Sequence, residues 1–236
     1  MDINNLPKHI AIIPDGNRRW AKERNIPSFL GHKNGVDNAK RLAKKTRELG
    51  IRYFTGWMFS TENWLARSKE EMDGLFILVH SVVDDFKKQF MKDGTRFIHL
   101  GRKDRLPKDI IQSIKELEDM SKGNKEFTVA IAMDYGGRDE IIRATQAVIS
   151  ENLEITPGNI KAHLDTKDMP DPDLIIRTGF EKRLSGFMLW QSEYSEFYFP
   201  DCYFPDFTPD KLEQAIEHFS KVDRRFGGNT LKEGIS

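Results

Sequence analysis

Short apolar runs alternate with segments of helical spacing along the chain. The runs are IAII at 10–13, YFTGWMF at 53–59, RFIHL at 96–100, FTVAIAM at 127–133 and DLIIRT at 173–178. Each run is continuously apolar rather than alternating, which is typical of strands that are covered on both faces. This order of strands and helices predicts an α/β fold with a central, mainly parallel β-sheet flanked by helices.

Two segments between the runs carry an apolar face at helical spacing. The first contains Ala39, Leu42 and Leu49 and is followed by Gly50, which stands where a helix would end. The second extends from Glu70 to about Lys92, and its apolar face comprises Met72, Leu75, Phe76, Val79, Val82, Val83, Phe86 and Phe90. Because ligands bind at the carboxyl ends of the strands in such sheets, the residues that follow each strand are the first candidates for a site.

The charges of the chain are balanced, with 37 Lys and Arg against 37 Asp and Glu. A net charge of zero gives no general attraction to anions, so we expect no nucleic-acid partner and look for local clusters. The one cysteine, Cys202, permits no internal disulfide. The polar start of the chain and the lack of ~20 consecutive apolar residues favour a cytoplasmic protein. Length and composition favour one domain over 1–236.

The first predicted strand leads into Pro14, Asp15, Gly16 and Asn17, and then into a helical stretch with two arginines. A glycine turn that opens a helix presents free backbone N–H groups to a diphosphate, and arginines add charged donors. Asp15 would repel a bare phosphate but could hold Mg²⁺ that bridges to it. From these residues alone, a simple helix cap by Asp15 is an equally good interpretation.

Five sequence blocks follow the predicted strands in a fixed order. They are HIAIIPDGNRRWAK with GHKNG, FSTENW, YGGR, DPDLIIRT with RLSGFMLWQSEYSEFYF, and RRFGG. In order and spacing, these blocks resemble the cis-prenyltransferases, the undecaprenyl diphosphate synthase family, over nearly the whole chain. The resemblance implies one catalytic domain that condenses isopentenyl diphosphate with an allylic prenyl diphosphate in cis and uses Mg²⁺. The product would be a Z-polyprenyl diphosphate, and its growing chain needs an apolar tunnel, for which the 72–90 face is a candidate wall.

The resemblance assigns the first block to the allylic diphosphate. Asp15 corresponds to the family's essential aspartate and would bind the metal, and His32 would be a donor to the phosphates or a proton relay. The remaining residues implied to bind this diphosphate are Gly16, Asn17, Arg18, Arg19, Trp20 and Ser28. Ser28 stands where the family usually has an arginine and Arg18 where it has a glycine, so we expect Arg18 to supply the missing charge.

The later blocks are assigned to the isopentenyl side. Ser60 and Asn63 are implied to be catalytic, although an amide is a poor base, so we expect Asn63 to orient the substrate. The other residues implied on this side are Thr61, Glu62, Trp64, Arg67, Arg177, Arg183, Leu184, Ser185 and Arg225.

The resemblance also implies an assembly. Glu196 would share the Mg²⁺ across the interface of a homodimer, and Arg225 would act on the partner's isopentenyl site. Release of an apolar product would involve peripheral contact with a membrane.

Several departures from the family pattern leave two alternatives open. Asp134 replaces a usual asparagine, Phe180 a small residue and Gly186 a common asparagine. One alternative is a head-to-middle, lavandulyl-type prenyl diphosphate synthase, but such enzymes tend to lose the Ser-x-Glu-Asn-Trp block that this chain keeps. The other is a non-catalytic partner subunit, which would lack the Asp-Gly-Asn cradle. Product length is expected to be short to medium, because only MKDGT separates Phe90 from the next strand.

Overall fold

The computed structural model describes residues 5–66, 68–87 and 91–224. Its centre is a six-stranded sheet in which every strand pair is parallel. The strands are β1 His9–Ile13, β2 Tyr53–Ser60, β3 Thr95–Leu100, β4 Phe127–Tyr135, β5 Leu174–Arg177 and β6 Glu196–Tyr198. Their order across the sheet is β3-β4-β2-β1-β5-β6. The predicted α/β fold with a parallel sheet is confirmed.

Eight α-helices connect and cover the strands in the described part of the chain. They are α1 Asn17–Glu23, α2 Ser28–Glu48, α3 Thr61–Ala66, α4 Lys69–Asp85, α5 Lys108–Ser121, α6 Gly137–Ser150, α7 Pro157–His163 and α8 Pro209–Ser220. Short 3-10 turns cover Met91–Asp93 and Phe204–Asp206. Among the described residues, no helix combines the length and apolarity that a membrane crossing requires.

The five predicted apolar runs are β1 to β5, and they are buried because helices cover both faces of the sheet. One core cluster lies under α2, α4, α5 and α8, and a second, smaller cluster on the other face includes Trp57, Tyr135 and Phe187. The sequence pattern missed β6, because a strand of three residues with Phe197 exposed has no recognisable apolar run.

The helix predicted around residues 39–49 is longer than expected and begins at Ser28. Gly50, with φ 79°, follows its end as predicted. The helix predicted from Glu70 to about Lys92 begins at Lys69, and its regular α-helical part ends at Asp85.

Candidate active site

A cleft of about 870 Å³ opens at the carboxyl ends of the central strands. Ile13, Ser60, Tyr135 and Arg177 end β1, β2, β4 and β5, which are neighbours in the sheet, so the segments that follow them meet at one edge. The lining includes these predicted site residues: Asp15, Gly16, Asn17, Arg18, Arg19, His32, Ser60, Glu62, Asn63, Arg177, Arg183 and Ser185. The topology therefore brings together blocks that lie up to about 170 positions apart in the sequence.

Asp15 is held by two arginines. Its Oδ2 accepts a hydrogen bond from Nη2 of Arg177 at 2.9 Å, and its Oδ1 accepts one from Nη2 of Arg19 at 3.3 Å. Arg177 ends β5, which pairs directly with β1, and its side chain is only 5% exposed. Its Nη1 also donates to Ser185 Oγ at 2.8 Å and to the carbonyl oxygen of Arg183. The guanidinium of Arg177 thus connects Asp15, the carboxylate predicted to bind the metal, to Arg183 and Ser185, which are predicted to bind isopentenyl diphosphate.

Two glycines with positive φ let the backbone approach closely around Asp15. Gly16, at φ 101°, packs so closely that an added Cβ would lie 2.5 Å from Tyr203 Cδ1. At Gly179, with φ 83°, a Cβ would lie 2.9 Å from the carbonyl carbon of Asp15. Because residues with a side chain rarely adopt this backbone region, glycine is the residue that fits at both turns.

The sequence interpretation missed two charged residues of the cleft. Glu181 accepts from Nη1 of Arg19 at 3.4 Å and also pairs with Arg183, so it links the arginines of the two predicted diphosphate sites. Arg138 lines the cleft at the start of α6. A signal existed for both: Glu181 lies between Arg177 and Arg183, and Arg138 ends the YGGR block directly after strand β4.

Ser60 and Asn63 hold the start of α3. The Ser60 Oγ accepts from the Asn63 N–H at 3.0 Å, and the Ser60 N–H donates to Asn63 Oδ1 at 3.4 Å. This reciprocal arrangement is that of a capping box. Glu62 also lines the cleft, whereas Thr61 packs beside Gly136, where a Cβ would lie 2.6 Å from Thr61 Oγ1.

Several predicted site residues besides Thr61 do not line the cleft. The indole N–H of Trp20 donates to Asp206 Oδ1 at 2.8 Å, and Trp20 is not a lining residue of the cleft. Leu184 packs against the second core cluster. Trp64 packs against the first cluster, beside Phe59 and Phe76. Two other predicted residues, Arg67 and Arg225, lie outside the described residues, as does Phe90 of the expected tunnel wall.

Glu196 lies at the opposite end of the strands from Asp15. It begins β6 and is paired in register with Leu174, the first residue of β5, whereas Asp15 follows the last residue of β1. Glu196 is also not among the residues that line the cleft. The two carboxylates therefore do not meet within one chain.

A second cavity of about 190 Å³ lies between α2 and α4. Its walls are Ser28, Phe29, His32, Glu70, Glu71, Gly74, Leu75 and Leu78, and His32 also lines the cleft. Of the expected tunnel wall, Leu75 lines this cavity, whereas Met72, Val79 and Val83 pack in the core without lining it. Among the described residues of the expected face, Leu75 is thus the one that lines this cavity.

The residues around Asp15 fit a Mg²⁺ ion that is completed by substrate. Among the described residues, no group of three or more His, Cys, Asp or Glu side chains could hold a metal by itself. Mg²⁺, however, is usually bound by one or two carboxylates together with substrate phosphates and water. Asp15 offers one carboxylate at the cleft, and the surrounding arginines suit the phosphates, so this donor set matches that mode.

Known proteins resemble this chain over most of its length. Residues 13–227 match the family model described as "Putative undecaprenyl diphosphate synthase". An isoprenyl transferase of Thermotoga maritima is 43% identical over 228 residues, which cover 94% of this chain and 97% of the relative. Isoprenyl transferase 2 of Bradyrhizobium diazoefficiens is 41% identical and covers 98% of this chain and 94% of the relative.

Two solved structures share the fold. The crystal structure of lavandulyl diphosphate synthase from Lavandula x intermedia, in complex with dimethylallyl diphosphate, has a TM-score of 0.87 and 35% identity and covers 95% of this chain and 99% of that one. A structure titled as a probable undecaprenyl diphosphate synthase from Campylobacter jejuni has a TM-score of 0.80 and 35% identity, with coverage of 94% and 99%. The chain therefore belongs to the undecaprenyl diphosphate synthase family of prenyltransferases.

Proposed function

We propose that the protein condenses isopentenyl diphosphate with an allylic prenyl diphosphate in cis, releases diphosphate and forms a Z-polyprenyl diphosphate of short to medium length. The observation that carries this proposal is the Asp15 carboxylate between Arg19 and Arg177 in the cleft. Arg18 and Arg19 stand on one side of Asp15 for the allylic diphosphate. Arg177, with Ser185, stands on the other side for the isopentenyl diphosphate.

In the proposed reaction the carbon–oxygen bond of the allylic diphosphate breaks, and its electron pair leaves with the diphosphate. The double bond of the isopentenyl unit attacks the allylic carbon C1, and a proton passes from that unit to a diphosphate oxygen. The chain's own task is to neutralise the leaving group with Arg18 and Arg19 and to align the two substrates. The capping box of Ser60 and Asn63 fixes the start of α3 beside them.

Asp15, together with phosphate oxygens, would hold Mg²⁺, and the bound ion would stabilise charge on the departing diphosphate. In the structure the same carboxylate pairs with Arg19 and Arg177. When the carboxylate turns to a cation, Arg19 and Arg177 become available for phosphate oxygens. We infer that this exchange of partners prepares the site for two anionic substrates.

A head-to-middle reaction is the second candidate, because the lavandulyl diphosphate synthase shares the fold with a TM-score of 0.87. Two observations favour head-to-tail condensation. The curated relatives at 41–43% identity are isoprenyl transferases. In addition, Ser60 and Asn63 are both present and pair with each other at the cleft. A role as a non-catalytic partner subunit is disfavoured, since the Asp15 cradle lies in an open cleft.

A homodimer is part of the proposal. Arg224 pairs with Asp173 at 2.6 Å, and the Glu196 N–H donates to the Asp173 carbonyl at 2.8 Å. Glu196 and Arg224, the residue before Arg225, therefore lie at the same end of the sheet. A second chain related by a two-fold axis could contact both there. Sedimentation should give twice 27.4 kDa; a fully active monomer would contradict the shared site.

We also propose a cytoplasmic location with peripheral membrane contact during product release. Phe29 and Leu30, which are 40% and 37% exposed, stand beside the smaller cavity and would contact the apolar product or the lipid.

The test of the proposed function is chain growth by the purified protein. Isopentenyl diphosphate and allylic starters of several lengths are supplied with Mg²⁺, and products are weighed by mass spectrometry. We expect prenyl diphosphates that are longer by whole isopentenyl units, and we expect EDTA to abolish their formation. No product with any starter would contradict the proposal.

A further inference from the structure

Arg105 lies outside the cleft, in the loop between β3 and α5, and joins two elements that border the cleft. Its Nε donates to Asp134 Oδ2 at 2.8 Å, and its Nη2 donates to Asp134 Oδ1. The centre of its guanidinium lies 5.8 Å from the centre of the Trp64 ring. Arg105 thus connects the end of β4 with helix α3.

Asp134 requires this partner. Its side chain is completely buried, and burial raises the pKa of its carboxyl group, while the neighbouring Arg105 acts in the opposite direction. A carboxylate in such a place is costly unless it is paired and hydrogen-bonded. The two parallel hydrogen bonds also fix the plane of the guanidinium. Asp134 therefore holds Arg105 in one orientation.

Helix α3 is held at its first turn by the Ser60 and Asn63 capping box and by Thr61, and farther along by Trp64. Within α3, all of whose residues are described, none is buried. Of its two large apolar side chains, Leu65 is 77% exposed, and Trp64 packs at 6.4 Å from Phe59 and 6.0 Å from Phe76. Beyond its capped first turn, α3 is thus packed on the core through Trp64, and Arg105 lies against the Trp64 ring.

Helix α3 also carries residues of the proposed active site. Glu62 and Asn63 belong to α3 and line the cleft, and Ser60 precedes the helix. A rotation or shift of α3 would move Glu62 and Asn63 relative to Asp15, whereas Ser60 is held in β2. Misplacement by about 1 Å can cost a reaction about 100-fold.

We infer that Arg105 is a positioning residue for prenyl transfer, because it locks Trp64 and so sets α3 against the cleft. The inference rests on the proposed function of the cleft. The alternative is that Arg105 only neutralises Asp134 and has no effect on α3.

Four variants separate these two roles. Asp134→Asn removes the buried charge and one of the two hydrogen bonds to Arg105 but leaves the guanidinium beside Trp64. Arg105→Met removes both the ion pair and the contact with Trp64. The double variant Arg105→Met/Asp134→Asn removes the contact but leaves no unpaired carboxylate. Arg105→Lys keeps a positive charge beside Asp134 but loses the planar fork that meets both partners. Each is measured for melting temperature, kcat and the KM for each substrate.

We expect Asp134→Asn to retain more kcat than the double variant, because Arg105 is still present beside Trp64, and Arg105→Met to lose both stability and activity. The double variant should recover most of the melting temperature and yet keep a kcat about 10- to 100-fold below wild type. Its KM for isopentenyl diphosphate should rise, while the KM for the allylic substrate stays the same, since α3 borders the isopentenyl side. Arg105→Lys should melt like the wild type and show the same kinetic loss.

Recovery of both melting temperature and kcat in the double variant would overturn the inference. If that variant does not fold, wild-type kinetics of Arg105→Lys would overturn it as well. An inactive wild type would instead mean that the proposed function has failed, so the two failures are distinguishable.

Discussion

At the scale of single residues, the cleft holds more positive than negative side chains. Its lining contains five arginines, namely Arg18, Arg19, Arg138, Arg177 and Arg183, and three acids, namely Asp15, Glu62 and Glu181. Two of these acids, Asp15 and Glu181, are paired with arginines in the structure. Substrate diphosphates would therefore compete with protein carboxylates for the same guanidinium groups, and both Asp15 and Glu181 contact arginines of the two predicted sites.

The first prediction concerns Asp15. Asp15→Ala should lower kcat by at least ~10²–10³-fold, the usual effect of losing a key electrostatic stabiliser. Asp15→Asn is the matched control for shape, since its amide keeps the size of the side chain but loses the charge that would attract Mg²⁺. Steady-state kinetics of both variants should show similar losses. Undiminished turnover of Asp15→Ala would contradict the proposed mechanism.

The second prediction concerns Arg18 and Ser28. Arg18 lines the cleft and pairs with Glu71 at 3.4 Å, and its side chain is 59% exposed, so it is accessible to an arriving diphosphate. Arg18→Gly should raise the KM of the allylic substrate by roughly 10- to 100-fold, which corresponds to the loss of a charged hydrogen bond of about 1.5–3 kcal/mol. The KM of isopentenyl diphosphate is the internal control and should stay constant.

Adding Ser28→Arg to Arg18→Gly should restore much of the lost allylic affinity, so the two effects should not be additive. An unchanged allylic KM in Arg18→Gly would show that Arg18 does not compensate for Ser28.

The individual residues show where sequence reasoning works and where it stops. Asp15, Arg177 and Ser185 were predicted from motifs, and the topology brings them together. Trp20 lies in the same motif as Asp15, but its side chain bonds to Asp206. The motif could not predict this, because it does not specify which side of a helix each of its residues faces. Glu181 was missed, since its role depends on contact with Arg19, 162 positions away in the sequence.

At the scale of elements, the packing of α1 on α2 positions the residues that are predicted to bind the allylic diphosphate. A Cβ at Gly31 would lie 2.2 Å from the Asn17 carbonyl oxygen, and a Cβ at Gly35 would lie 2.5 Å from Asn17 Oδ1. These two glycines therefore let α2 approach α1 and place His32 in the cleft. The sequence showed the glycines as flanks of His32, but their contact with Asn17 depends on how the two helices cross.

The third prediction tests this contact. Gly31→Ala should destabilise the protein by about 1–3 kcal/mol, since the backbone oxygen of Asn17 cannot move away freely. We expect this loss of stability even though alanine is more favourable than glycine in a helix by ~1 kcal/mol. Activity should fall as well, because α1 carries Arg18 and Arg19.

Gly123→Ala is the matched control for Gly31→Ala, since nothing lies within 4 Å of the added Cβ. Its free energy of unfolding should stay within about 0.5 kcal/mol of the wild type. Equal stability of both variants would contradict the close approach of α1 and α2.

The five longer strands, which include the edge strand β3, were more predictable than the short edge strand β6. Strands β1 to β5 are buried, and their apolar runs are long enough to recognise from the sequence. Strand β6 is three residues long, and its position next to β5 depends on tertiary pairing.

At the scale of the whole molecule, two buried histidines make stability depend on pH. Burial lowers the pKa of His9 and of His99 from 6.5 to about 4. His9 bonds to the Pro170 carbonyl and the Thr55 hydroxyl, both at 2.8 Å, and so joins β1 to β2 and to the segment before β5. The folded protein therefore keeps both rings neutral at a pH at which the unfolded chain binds protons.

The fourth prediction follows from this difference. Above pH 6.5 neither histidine contributes a pH dependence, because both rings are neutral in the folded and the unfolded chain. Between pH 6.5 and about 4 the unfolded chain takes up the protons first, so each histidine should cost roughly 3 kcal/mol of stability over that range. His9→Gln should reduce the slope in urea titrations at several pH values. An unchanged slope would contradict the burial of a neutral ring.

The central claim is that this cleft joins isopentenyl units head to tail with Z geometry, and the structure of the product tests it most directly. The purified protein is supplied with an allylic diphosphate, ¹³C-labelled isopentenyl diphosphate and Mg²⁺, and the product is analysed by NMR and mass spectrometry. We predict linear chains of short to medium length in which every newly formed double bond is Z. Branched, lavandulyl-type products or new E double bonds would contradict the account.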